Sequence, residues 1–196
     1  MVAIPMAPAW IPPRCIYVYL FHGCTFRDSL NIIRNGIDLN RCRIWTDFGR
    51  GFYVTTVESR AHRIAISRYH KYGLRSNQPV ALRFRVPRER LAELHSLAFV
   101  LGDFNAVDYW SFVQHCRQTP HGGPPRHHHY PNPVMAWNGW YDLVSGPVAD
   151  DWNKRTIIPH YDQFSFHTQR AIDVLNALVG SGDRNQFQVM NIPYAP

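Results

Sequence analysis

Three short segments carry the side chains best suited to chemistry: FHGCT at 21–25, DFGRGFYVTT at 47–56 and DQFSFHT at 162–168. The first sets His22 beside Gly23 at the end of an apolar run. In the second, Gly49 and Gly51 let the backbone turn sharply and approach a ligand closely. Between them, Arg50 is placed to pair with a pyrophosphate or an acidic group, and Asp47 to pin the loop or Arg50. The β-branched run that follows displays Tyr53, whose face attracts a cationic ring. The third segment presents Gln163 and Ser165. Taken singly, each has a plain structural account: a turn, the start of a hairpin and a buried strand.

Other candidates carry less. His127–His129 are adjacent, so they point in different directions in any regular element, and no carboxylate or cysteine sits at a ligand-like offset; they read as a solvated loop, with no metal site. Asp150 and Asp151 suit a general base or a cation site, or equally a cap for the turn after them. Cys24 lies two positions from His22 on one strand end, which does not make a nucleophile and base pair. The GxSxG elbow and the GxGxxG and GxxxxGK[ST] phosphate loops are missing, so a nucleotide site must follow another design.

The elements that must position these residues alternate irregularly between strand and helix. CIYVYLFHG (15–23) reads as a buried strand ending at a glycine turn. Leu30, Ile33 and Ile37 follow at near-helical spacing, and Asn35-Gly36 stops that helix. GFYVTT reads as a second strand, and VESRAHRIAISRYHKYG as a helix with a basic face. PVALRFRVP (79–87) alternates apolar and basic residues as a half-exposed strand does. RERLAELH suits a short helix, SLAFVLG a strand, and DYWSFVQHCRQ (108–118) a helix. Residues 119–139, dense in Pro, Gly and His, read as an exposed insertion. WYDLVSGPVADD reads as a strand broken at Gly146-Pro147, DQFSFHT as a strand, HTQRAIDVLNALVG as a helix ending at Gly180, and the tail as a short closing strand or loose chain. Short strands with a few helices predict an α+β fold with mainly antiparallel sheets.

The chain has 196 residues, 45% hydrophobic and 14% aromatic, which is enough to close one domain around its own core without disulfide or metal support. The domain spans 1–196, with its core at about 15–180. Cys15, Cys24, Cys42 and Cys116 lack CxxC pairing and the density of a secreted disulfide scaffold, so they read as reduced, mostly buried thiols. Prolines interrupt the N-terminal stretch, which has neither a basic leader nor a spanning run. The expectation is a cytoplasmic protein with no membrane partner; export without a cleavable leader would leave the same sequence. The formal charge of +7 suits a polyanionic partner.

YLFHGCT, DFGRGFYVTT followed by an Ala-bearing helix, YDLVSGPVADD and DQFSFHTQRAIDVL together resemble a family of domains of unknown function within the ADP-ribosyltransferase-like superfamily. The resemblance covers about Tyr17 to Leu178, with four motifs in the expected order. It implies a split pair of small antiparallel β-sheets with NAD held between them. It also implies the constellation His-Tyr-Glu of the diphtheria-toxin and poly(ADP-ribose) polymerase branch. On that pattern His22 hydrogen-bonds the adenosine ribose, the Gly23 backbone holds the nicotinamide amide, and Tyr53 stacks on the nicotinamide ring. Thr25, Arg50, Gly51, Phe52 and Ser165 complete the implied NAD-binding set.

The third position, Glu in the best-known members, falls on Gln163. A neutral amide accepts from a ribose hydroxyl and donates elsewhere but is no general base, so chain elongation is not expected. The resemblance then implies NAD-dependent transfer of a single ADP-ribose to a protein or nucleic-acid acceptor. The alternatives are transfer to water, making an NAD glycohydrolase, and a non-catalytic nucleotide-binding module. Asp162, Asp150 and Asp151 are the carboxylates at hand to substitute for the missing glutamate. Arg60, Arg63, Arg68 and Lys71 on one helix, with Arg83 and Arg85 on one strand face, suit a nucleic-acid acceptor, a solvated surface, or an acidic partner such as an antitoxin.

Overall fold

The computed structural model describes residues 16–72, 77–100, 107–117 and 141–193. Strand β1 (Tyr17–Thr25) pairs antiparallel with β3 (Pro79–Pro87), which pairs on its other edge with β7 (Phe187–Asn191). The second sheet runs in the order β2 (Phe52–Val54), β6 (Thr156–Phe166), β5 (Leu143–Asp151), β4 (Ser96–Ala98) and is antiparallel except for the β4–β5 pair. A bridge joins the two sheets: Phe21 and Thr55 exchange backbone hydrogen bonds of 2.8 and 3.0 Å. The fold is thus the expected α+β pair of split sheets, one of three strands and one of four.

Strand alternation decides where the core lies. Even positions of β3 send Val80, Leu82, Phe84 and Val86 to the inner face, where they meet Leu20 of β1, Phe52 of β2, Phe166 of β6, and Ile172 and Leu175 of helix α5 (Gln169–Gly180). Helix α2 (Glu58–Tyr72) covers the outer face of the three-stranded sheet, with Ala61 and Ala65 against Phe21 and Ala81. Helix α4 (Val107–Arg117) covers the far side of the four-stranded sheet, setting Tyr109, Phe112 and Val113 on Phe48, Leu97 and Val144. The other helices among the described residues are α1 (Phe26–Asn35), α3 (Arg88–Ala92) and a single 3-10 turn at Leu39–Arg41.

Helix starts follow local chemistry. Thr25 and Asp28 form a reciprocal capping box at α1, and Thr168 accepts from Ala171 N–H at α5. Gly36, at φ 77°, closes α1 in a conformation that disfavours any side chain.

Four expectations change. Gly23 ends no turn: β1 continues to Thr25, and a Cβ at 23 would overlap the carbonyl oxygen of Ala61 and lie 2.8 Å from Ala65 N, so glycine is there to admit α2. Strand β5 passes through Gly146-Pro147 unbroken, with a register shift between Pro147 and Val148, where a residue without N–H costs no ladder bond. On α1 the buried face is Ser29 and Ile32, with Ile33 exposed and Ile37 lying beyond the cap. The strand read at 96–102 closes at Ala98, and residues 119–139 with His127–His129 lie outside the described residues. Cys24, Cys42 and Cys116 are free thiols, Cys24 and Cys116 buried and Cys42 partly so. No helix among the described residues is long and apolar enough to cross a membrane.

Candidate functional site

A groove of about 420 Å3 opens beside the junction of the sheets, lined by His22 of β1, Gly51, Phe52 and Tyr53 around β2, Asp28 and Asn31 of α1, the 36–46 connection, and Arg68 of α2. Alternation on β1 turns His22 inward with Leu20 and Cys24, and its ring stacks on Phe52 at 4.3 Å between centroids. His22 Nδ1 lies 2.7 Å from the carbonyl oxygen of Tyr53, and Nε2 lies 3.3 Å from Arg68 Nη1. The partners fix the tautomer. A guanidinium only donates and a carbonyl only accepts, so Nδ1 carries the proton and Nε2 presents a lone pair. Burial, reinforced by the charge of Arg68, pulls the His22 pKa down from 6.5 to about 3, and the ring is neutral across the physiological range.

Arg41, Arg43 and Arg68 give the groove three cations against Asp28 and Asp38. Both carboxylates also serve the backbone or its caps: Asp28 accepts from Thr25 Oγ1 at 2.8 Å, and Asp38 from Asn40 N–H at 2.9 Å. Cys42 lines the groove as a protonated thiol, its pKa raised to about 11 by burial. It is no ready nucleophile.

Tyr53 borders the groove, but its phenol is tied to the preceding turn: the hydroxyl accepts from Phe48 N–H and donates to the Gly49 carbonyl, each at 2.9 Å. Burial raises its pKa above the usual phenol range. The cross-strand register sets Tyr53 opposite Ser165, while its neighbour Phe52 faces His22. Gly49 supplies the turn at φ 79°. Gly51 has a different reason: a Cβ there would overlap Ser165 Oγ and lie 2.8 Å from His167 Nδ1, so the close approach is to the protein's own side chains.

Gln163 stands apart from this groove. Its carboxamide is buried, and Nε2 donates to Asp47 Oδ2 at 2.6 Å and to the Pro147 carbonyl at 2.8 Å. Both partners only accept, which fixes the amide orientation and leaves Oε1 as the atom with which Gln163 could meet a ligand. Asp47 does not pair with Arg50 but pins its loop to the rest of the fold: it accepts from Arg117 at the end of α4, at 2.9 Å to Nε and also from Nη2, and from Ala149 N–H at 3.0 Å.

Of the residues expected at the site, His22, Gly51, Phe52 and Tyr53 line the groove, and Gly23, Thr25, Arg50, Ser165 and Gln163 do not. Thr25 is committed to the α1 cap. The backbone of Gly23 faces the sheet edge: Phe21 directs its backbone groups toward Thr55, and by the alternation of an antiparallel ladder Gly23 directs its own to that same edge, away from β3. Two of the three candidate bases are engaged elsewhere, and Asp150 is exposed and does not line the groove. Asp162 accepts from Thr55 Oγ1, Thr56 N–H and Thr56 Oγ1, and Asp151 accepts from Asn153 and Lys154 N–H in an exposed turn.

Two features have no counterpart in the sequence patterns. Arg68, which its helix spacing assigns to a basic surface, turns into the groove. His167, the histidine of the SFHT segment, donates from Nδ1 to the Arg50 carbonyl at 2.7 Å and packs edge-on to Tyr53; burial lowers its pKa to about 4. No curated protein matches the chain. The model of the family described as a protein of unknown function (DUF3990) matches residues 18–176, which run from β1 into α5 and include every residue of the site, so the chain belongs to that family.

Proposed function

We propose that the chain is an NAD-dependent mono-ADP-ribosyltransferase, acting in the cytoplasm, that cleaves the bond between nicotinamide and ribose and passes one ADP-ribose to a protein or nucleic-acid acceptor. The observation that carries this reading is the neutral His22 at the junction of two split sheets, in a groove it shares with Tyr53 and three arginines. The motif resemblance to the ADP-ribosyltransferase-like superfamily supports it. Arg41, Arg43 and Arg68 match the charge of a pyrophosphate. His22 Nε2 offers a lone pair to a ribose hydroxyl once Arg68 shifts to a phosphate. Gly23 offers backbone groups at the β1 edge, and Tyr53 an aromatic face. In the reaction nicotinamide leaves with the bonding electron pair, the sugar passes through an oxocarbenium-like state, and the acceptor bonds to the anomeric carbon and loses a proton. The chain's contribution is positioning and charge placement around that centre.

A second reading, NAD glycohydrolase, is favoured by one observation: Gln163 is neutral, its amide hydrogens are spent, and Asp162 and Asp151 are held by their own turns. With both of those carboxylates committed to their own turns, water is the simplest nucleophile. Incubation with labelled NAD separates the two. Nicotinamide release from NAD alone supports hydrolysis, and release only with cell extract supports transfer. No release in either condition overturns both and leaves a nucleotide-binding module. Calorimetry with His22→Ala and Tyr53→Ala is expected to show weaker NAD binding; wild-type affinity in both would remove the groove from the site.

A further inference from the structure

Helix α2 covers the outer face of the three-stranded sheet around Phe21, Gly23, Ala81 and Met190. On the rest of that face, alternation and register bring together Tyr17 and Tyr19 of β1, Arg83 and Arg85 of β3, and Gln188 of β7. Tyr19 is 47% exposed. Arg85 lies over the Tyr17 ring at 3.7 Å from its centroid, and Arg83 over Tyr19 at 5.6 Å. Each arginine is thus held over a tyrosine one diagonal step away, with less rotamer freedom to lose on binding. Among the described residues, no carboxylate makes an ion pair with either guanidinium. Helix α2, on the same side of the sheet, adds exposed Arg63 and Lys71 around a shared hollow.

We propose that this face binds single-stranded nucleic acid. Bases stack on the tyrosines and on the outward planes of the guanidinium groups, while the N–H groups meet the phosphates. Three features select this occupant. Two guanidinium charges that stand outside the ion pairs of the described residues, in a chain of net charge +7, call for a polyanion. Two rings at i and i+2 of one strand stand about 6.6 Å apart along it, a separation that serves successive unstacked bases and not the closed stack of a duplex. An acidic peptide would satisfy the arginines but leave the aromatic ladder without a role. The inference names the acceptor class for the transfer proposed above and in that respect rests on it; the binding itself requires no NAD.

The test is fluorescence anisotropy, without NAD, using labelled single-stranded DNA of mixed sequence and about 20 nucleotides, enough for one or more such sites, the same sequence as RNA, and the DNA duplex. The expected result is salt-dependent binding of one or both single strands, tighter than the duplex. Arg83→Gln with Arg85→Gln should weaken it at least tenfold and reduce the slope of log affinity against log salt by about 1.4, two cations at about 0.7 each. Tyr19→Ala should weaken binding about tenfold with the slope unchanged, and Tyr19→Phe should restore it. The exposed Arg184→Gln should leave both quantities at wild type. Any of three results overturns the proposal: no binding of either single strand at about 50 mM salt, tighter binding of the duplex, or displacement of the oligonucleotide by polyglutamate as readily as by unlabelled strand. Loss of strand binding with nicotinamide release intact would sink this inference alone; strand binding without nicotinamide release would sink the enzyme reading and leave this one standing.

Discussion

Around Tyr53 the chain builds two polar layers by different rules. At the tyrosine's carbonyl, His22 is buried and neutral, and its outward nitrogen meets Arg68 over 3.3 Å in a groove that Arg41 and Arg43 also border. Near the phenol, Asp47 collects donors from Arg117, Ala149 and Gln163, with bonds of 2.9, 3.0 and 2.6 Å among them. A carboxylate ringed by donors is complete and has little to offer a ligand. An imidazole lone pair shared with a cation at a long distance can exchange that partner for a ligand. The closed layer therefore supplies rigidity beneath the sheet, and the open layer is the one left able to meet a ligand.

The largest expected effect breaks the closed layer. Asp47→Ala leaves one hydrogen of the buried Gln163 amide and the Ala149 N–H without an acceptor, and Arg117 without its counter-ion. Removing one member of such a group costs about 3–5 kcal/mol, read as a drop in the urea midpoint at unchanged slope. A loss under about 1 kcal/mol would show that the layer is looser than its hydrogen bonds imply.

Next in size is Gln163→Glu, the change that restores the glutamate of the better-known pattern. It replaces a donor with a carboxylate oxygen against Asp47 Oδ2 and the Pro147 carbonyl. Two carboxylates so close cannot both ionise, so one folded-state pKa rises. A raised pKa means the folded state binds more protons than the unfolded. The penalty, about 2–3 kcal/mol at pH 7, shrinks as pH falls toward the ordinary carboxylate range. Denaturation at pH 7 and pH 5 checks it: the deficit relative to wild type should be smaller at pH 5. An equal deficit at both would mean that position 163 makes no such contact.

These contrasts also mark what the sequence could convey. His22 and Tyr53 are legible because a histidine-glycine pair in an apolar strand and a glycine-rich turn ahead of an aromatic one are local patterns. Gln163 is legible as a position, but not as a partner of Asp47, since that pairing spans 116 residues and depends on the register of β5 and β6. The groove wall formed by residues 36–46 has no periodicity to read. Arg68 looks like one more solvated helix residue until α2 is seated on Gly23. Gly23 misleads in the same way: its bare backbone meets a helix that sequence spacing cannot place.

The open layer has its own signature in pH. His22 and His167 have folded pKa values of about 3 and about 4, below 6.5. Between those values and 6.5 the unfolded chain binds more protons, so stability is full above pH 6.5 and falls as pH drops, by about 1.4 kcal/mol per pH unit for each histidine. His22→Phe removes one of the two, and its stability should fall less steeply than wild type between pH 6 and pH 4.5. Parallel curves would show that His22 titrates normally.

The smallest effect dissects that depression. Burial is the larger cause of the low His22 pKa and the Arg68 charge the second, so Arg68→Gln should raise the pKa while leaving it below 6.5. Stability should change by under about 1 kcal/mol: a glutamine keeps a donor for Nε2, and the loss of a desolvated cation offsets the lost charge-assisted bond. Nuclear magnetic resonance of the His22 ring proton reads the change directly. A midpoint that does not move would mean that Arg68 and His22 are not electrostatically coupled, and the groove would then hold its cation for structural reasons. A midpoint that rises with little loss of stability is the behaviour expected of an arginine free to leave the imidazole when an anion enters.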